Sequence, residues 1–217
     1  MKLKKIASLA LAGIMAVSML AGCNGASSST PTDPETPTTP VTDAASAVNG
    51  ELGDVADLLT FTNDLGATKI MESYFDETPI VMSQWNKAAL SVTNNLNAIG
   101  NLVDELDTYL GVASDKWYFD NGLQTATTND DKDGTYMEMY LLNDDYYSEE
   151  EALKLVGQYL AKLNLPEDNT DVAGVTSAQV VNYSYTGTVA AVKAESKSGA
   201  ESMWVIMVSI NRDSAKR

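Results

Sequence analysis

The sequence predicts an α+β fold in which N-terminal helices pack on an antiparallel sheet of ββαββ order. Three patterns carry that expectation. Trp85, Ala89, Val92, Leu96, Ile99, Val103, Leu106 and Leu110 recur at alternating intervals of four and three, the apolar stripe of an amphipathic helix. Farther along, Tyr136, Glu138 and Tyr140 alternate with Met137, Met139 and Leu141, the two-residue period of a strand. Near the end, Trp204, Ile206, Val208 and Ile210 alternate with Met203, Val205 and Met207, so a strand apolar on both faces is expected inside the sheet.

The chain opens with Lys2, Lys4 and Lys5, followed by Ile6 to Leu20, an uncharged run of fifteen residues. That run is shorter than the roughly 20 residues a helix needs to span hydrocarbon. It leads into Leu20-Ala21-Gly22-Cys23, which contains the only cysteine in the chain. Together these features resemble the signal peptide and lipobox of bacterial lipoproteins. The resemblance implies that residues 1–22 are a lipoprotein signal peptide and that Cys23 carries a diacylglycerol, with acyl chains such as palmitate. It also implies a protein lipid-anchored at the outer face of the cytoplasmic membrane or elsewhere in the cell envelope, since two acyl chains hold a protein where one is marginal.

Residues 23–50 are expected to be the lipidated Cys and a disordered linker rich in Pro, Ser and Thr. Pro31, Pro34, Pro37 and Pro40 recur at the three-residue turn of a polyproline II helix, with little apolar surface to bury. Residues 51–217 are then a single α+β domain, long enough to bury a sizeable core.

Within that domain, Leu52, Val55, Leu58, Leu59, Leu65, Ile70, Met71 and Tyr74 suggest helix over 51–75, broken near Thr60–Thr62 and Gly66. The long stripe predicts one helix from a cap at Ser83 to a stop at Gly111. Trp117, Phe119 and Leu123 suggest a strand over 116–127, joined through Asp133-Gly134 to a second over 134–142. Ser148 followed by Glu149, Glu150 and Glu151 is a capping box, and Leu153 to Leu163 continue a helix that Leu165-Pro166 ends. A closing hairpin follows, Val180–Lys193 and Glu201–Asn211, turning through Ser196–Gly199. The run Ser148-Glu149-Glu150-Glu151-Ala152-Leu153 with that hairpin resembles the PepSY type of small exported domain over at most a third of the chain. No functional residue is carried over from it.

Charge and missing residue types exclude several function classes. Net charge is −16, and removal of the three leader lysines takes it to −19, a balance that disfavours nucleic acid and anionic lipid headgroups. Histidine is absent, which excludes Ser-His-Asp and Cys-His catalysis and His-ligated zinc. With Cys23 acylated no thiol remains for a disulfide, so a packed core must supply stability.

Few residues offer chemistry. Asn129 to Gly134 has oxygen-bearing side chains at alternate positions before a glycine, which makes Asp131 and Asp133 candidate calcium ligands. An EF-hand needs a glutamate at its twelfth position, where Tyr140 stands, and a solvated hairpin turn explains the same residues. Asp104, Glu105 and Asp107, with Asp115 beyond, fall at the helix end where the macrodipole favours cations, a second candidate cation site. Tyr146 and Tyr147, beside Asp144 and Asp145, are the aromatic pair best suited to binding a partner; the remaining strand aromatics read as core. No catalytic residue is assigned and no cofactor is expected. The leading expectation is a lipoprotein with a non-enzymatic binding or accessory role toward a protein, peptide or glycan. The alternatives are a small carboxylate-based hydrolase of envelope polymers and a calcium-stabilised structural module.

Overall fold

The structure, a computed structural model, describes residues 43–80, 91–92, 99–127 and 132–216. The leader, Cys23 and the linker as far as residue 42 lie outside the described residues, as does Asp131.

Folding begins earlier than the linker boundary at 50. Helix α1, Ala44–Asn49, is capped by Asp43, whose side chain accepts from Ser46 N–H, and it buries Ala44, Ala45 and Val48. Its last side chain grips the first strand, β1, Phe61–Asn63: Asn49 Nδ2 donates to the Phe61 carbonyl at 2.9 Å and Asn49 Oδ1 accepts from Phe61 N–H at 2.8 Å. The interrupted helix expected over 51–75 resolves into a 3₁₀ turn at Gly53–Asp57, then β1, then helix α2, Leu65–Glu77, capped by Asp64.

The long helix is shorter than its stripe suggested. Ser91–Val92 is a brief strand, β2, paired antiparallel with Leu141 and Tyr140, and helix α3 runs only from Gly100 to Leu110. Ser83 and the rest of 81–90, with 93–98, lie outside the described residues; at Val92, a β-branched and poor helix former, strand pairing wins. Gly111, left-handed at φ 69°, stops α3 as expected.

The segment 116–127 is a second correction. It forms 3₁₀ turns at Ser114–Lys116 and Phe119–Asn121, not a strand, so the expected ββαββ order is not formed. Its apolar residues reach the core from turns, and its backbone polar groups bond to side chains on the sheet. The remaining elements follow the periodicity closely: β3, Gly134–Asn143; α4, Glu149–Leu160, with both hydrogen bonds of the Ser148–Glu151 capping box made; β4, Val181–Glu195; and β5, Ser202–Lys216.

The five strands are ordered β1-β4-β5-β3-β2. Among the described strands β1 and β4 pair in parallel and the other neighbours antiparallel, so the sheet is mixed, not antiparallel as expected. The strand apolar on both faces, β5, is central as expected, because each of its faces meets a different core. One core joins Tyr136, Tyr140, Val189, Ile206 and Val208 to α1 and α4. The other joins Met137, Met139, Val192, Val205 and Met207 to α2 and α3. Helices therefore cover both faces. The fold class stands as α+β.

Candidate binding pocket

Strand alternation sends Glu138 to the same face as Tyr136 and Tyr140, into the core shared with α4. Its side chain is enclosed, with the residue only 5% exposed. A buried carboxyl must find hydrogen-bond partners. Glu138 Oε1 accepts from Phe119 N–H at 2.9 Å and Oε2 accepts from the Tyr140 hydroxyl at 2.5 Å. Burial raises the Glu138 pKa; the two hydrogen bonds partly offset this, and the negative charge of Asp120 adds to the rise. Tyr140 is pushed well above its ordinary value by burial and by the adjoining Glu138.

Glu138 lies at the base of an open cavity of about 150 Å³ lined by Phe119, Asp120, Gln124, Glu138, Tyr159, Lys162 and Leu163. Phe119 and Glu138 are buried and form the floor, Tyr159 and Leu163 are half-buried walls, and Asp120 and Lys162 are exposed at the rim. Tyr159 meets the Tyr140 ring edge-on, with centroids 5.5 Å apart. Gln124 is already engaged, since its Nε2 donates to Asp120 Oδ1 at 2.9 Å and its Oε1 accepts from Asn164 N–H at 2.7 Å.

A buried cation on the sheet helps to hold the 119–127 segment over this face. Arg212 is completely buried on β5, and its Nη1 donates to the carbonyls of Gly122, Leu123 and Thr125 at 3.1, 3.4 and 2.7 Å. Its guanidinium lies 3.9 Å from the centre of the Tyr183 ring. Asp133 answers the charge, its Oδ1 standing 3.6 Å from Arg212 Nε, an ion-pair distance too long for a hydrogen bond. Asp133 Oδ2 accepts from Ser214 N–H at 2.9 Å and from the Ser214 hydroxyl at 2.5 Å.

Asp133, a candidate calcium ligand in the sequence, is engaged with Arg212 and Ser214. Among the described residues no group of three carboxylate or other metal-binding side chains converges. In the other candidate cation cluster, Asp107 Oδ2 accepts from the Trp117 indole N–H at 2.7 Å. Burial raises the pKa of Asp107; the indole bond opposes the shift and Asp104 adds to it.

The aromatic pair divides. Tyr146 is 65% exposed, whereas Tyr147 packs against the core and its carbonyl accepts from Trp204 Nε1 at 3.0 Å. Beside them Asp144 pairs with Lys193 at 2.9 Å and accepts from Ser202 Oγ at 2.5 Å. Tyr136, Tyr140, Tyr183 and Tyr185 are buried core.

Sequence reasoning did not single out Glu138, Asp120, Tyr159, Lys162 or Arg212. The available signal was Glu138 itself, a charged residue on the tyrosine face of an alternating strand. Among the described residues no helix is long and apolar enough to cross a membrane. No family model, curated protein or solved structure matches the chain.

Proposed function

We propose that this chain is an exported lipoprotein, anchored in the cell envelope through Cys23, whose domain is a non-enzymatic binding module using the Glu138 pocket. The anchor rests on the leader, in which Lys2, Lys4, Lys5, an apolar run and Leu20-Ala21-Gly22-Cys23 occur in signal-peptide order. The observation that carries the binding role is the pocket: a small opening with an enclosed carboxyl at its base and aromatic and charged side chains around it. Tyr146, the exposed member of its pair, is a second contact point for a protein or glycan partner.

The hydrolase alternative has one specific support, since Asp120 and Glu138 line the same cavity and burial raises the Glu138 carboxyl, as a general acid requires. Against it, both Glu138 oxygens already accept hydrogen bonds from groups of the protein itself. Binding is the better reading.

Metabolic labelling with a palmitate analogue tests the anchor. A labelled band lost in Cys23→Ala, with the variant released to the medium, is the expected result; unlabelled wild-type protein free in the medium would overturn it. Incubating the purified protein with envelope glycans and peptides tests the role. Turnover that disappears in Glu138→Gln would replace binding with hydrolysis.

A further inference from the structure

The Glu138 pocket offers a particular combination of chemistry. The rim carries opposite charges, Asp120 and Lys162. A cationic ligand would meet the Lys162 ammonium, and an anionic ligand would meet the Asp120 carboxylate beside a second acid. The floor adds no free polar group, because Glu138 Oε1 already accepts from Phe119 N–H and Oε2 from the Tyr140 hydroxyl, so selection falls to the rim and walls. Hydroxyl groups match such a set, since each can donate to Asp120 and accept from Lys162. Tyr159 and Leu163 add half-buried apolar wall between those polar points, suited to the C–H face of a ring. The size is restrictive as well, because about 150 Å³ falls below the roughly 300 Å³ at which pockets for drug-sized ligands begin.

Resting on the binding reading above, we infer that the pocket formed by Asp120, Glu138, Tyr159, Lys162 and Leu163 takes one neutral sugar ring, as a free monosaccharide or the terminal unit of a glycan. Asp120 and Lys162 bond the ring hydroxyls at the rim, and Tyr159 covers its apolar face. Oligosaccharides then bind by their ends, with further units lying outside the pocket.

The test uses the full lipidated protein in a sugar-free detergent, titrated by calorimetry and by saturation-transfer NMR with glucose, galactose and N-acetylglucosamine. Cyclohexylammonium and acetate serve as charged probes. At least one sugar is expected to bind with a Kd of about 1 mM, and Tyr159→Ala and Asp120→Asn are each expected to weaken it about tenfold. Circular dichroism should be unchanged in both variants, since Tyr159 is half-buried and Asp120 exposed. Silence from all three sugars, preference for either charged probe, or undiminished sugar binding in both variants would overturn the inference. A charged probe that binds in the pocket would leave the binding module standing, whereas hydrolysis of a glycoside by the wild-type protein would remove that broader reading.

Discussion

Glu138 is the residue on which energetics and candidate function meet. Its folded pKa is raised, so the native state holds the proton after the unfolded chain has released it. The associated stability is complete below the ordinary carboxyl range and is lost as pH rises through the folded value. Asp144 behaves oppositely: burial acts to raise it, but bonds from Ser202 and Lys193 prevail and hold it low, so its contribution is lost as pH falls. Comparing Glu138→Gln with wild type cancels that background. Gln keeps the Phe119 hydrogen bond, and the Tyr140 hydroxyl can turn to accept from the new amide. The variant should therefore gain stability relative to wild type between about pH 4 and about pH 7, read as urea midpoints at both ends. An unchanged difference would mean that Glu138 does not titrate abnormally. The sequence placed Glu138 on the face of Tyr136 and Tyr140, because strand alternation is local, but did not single it out as buried. It did not reveal Phe119 N–H as the partner, because the intervening chain turns where a strand had been expected.

At the scale of elements, close approach decides the packing of α1 on α4. A Cβ added at Gly157 would stand 2.7 Å from the Val48 carbonyl oxygen, a backbone atom that cannot swing aside. Gly157→Ala gains up to about 1 kcal/mol of helix propensity but incurs overpacking of about 1–3 kcal/mol, so a net loss of about 1 kcal/mol is expected in urea denaturation. Gly66→Ala in α2 makes a useful contrast. Its Cβ would meet the end of the Tyr109 side chain at 2.2 Å, but that side chain is half exposed and can move, so stability should change little. Equal losses at both sites would show that the α1–α4 contact is not the tighter one. Elements with strong local signals, namely the Ser148 capping box and the alternation of β3, β4 and β5, were legible in sequence to within a few residues. The 116–127 segment was not, since it gets its shape from Arg212, which is 87 residues beyond Thr125 in the chain. Within the 83–111 stripe, Ser91–Val92 departed from helix for a nearer reason: an apolar stripe reports which residues face inward, while local propensity, low at β-branched Val92, decides whether a helix carries them.

Over the whole molecule, charge opposes compaction. A chain with 30 acidic and 14 basic residues repels itself when folded, and added salt screens that repulsion. Thermal midpoints should therefore rise as sodium chloride is raised from about 10 mM to about 150 mM, across which the screening length shortens from roughly 30 Å to roughly 8 Å. A midpoint that falls would mean that favourable ion pairs such as Asp144–Lys193 outweigh the net repulsion.

Residue types and short-range periodicity were enough to read an acidic chain without histidine, a lipoprotein-like leader, a central strand buried on both sides and an α+β class. These are properties of neighbours in sequence. The tertiary structure decided that helices cover both faces, that β1 pairs in parallel with β4, that α1 joins the core, and that Asp120, Glu138, Tyr159 and Lys162 share one pocket. Each of those depends on which distant segments can satisfy one another's buried polar groups and fill one another's space, and no local pattern encodes that choice.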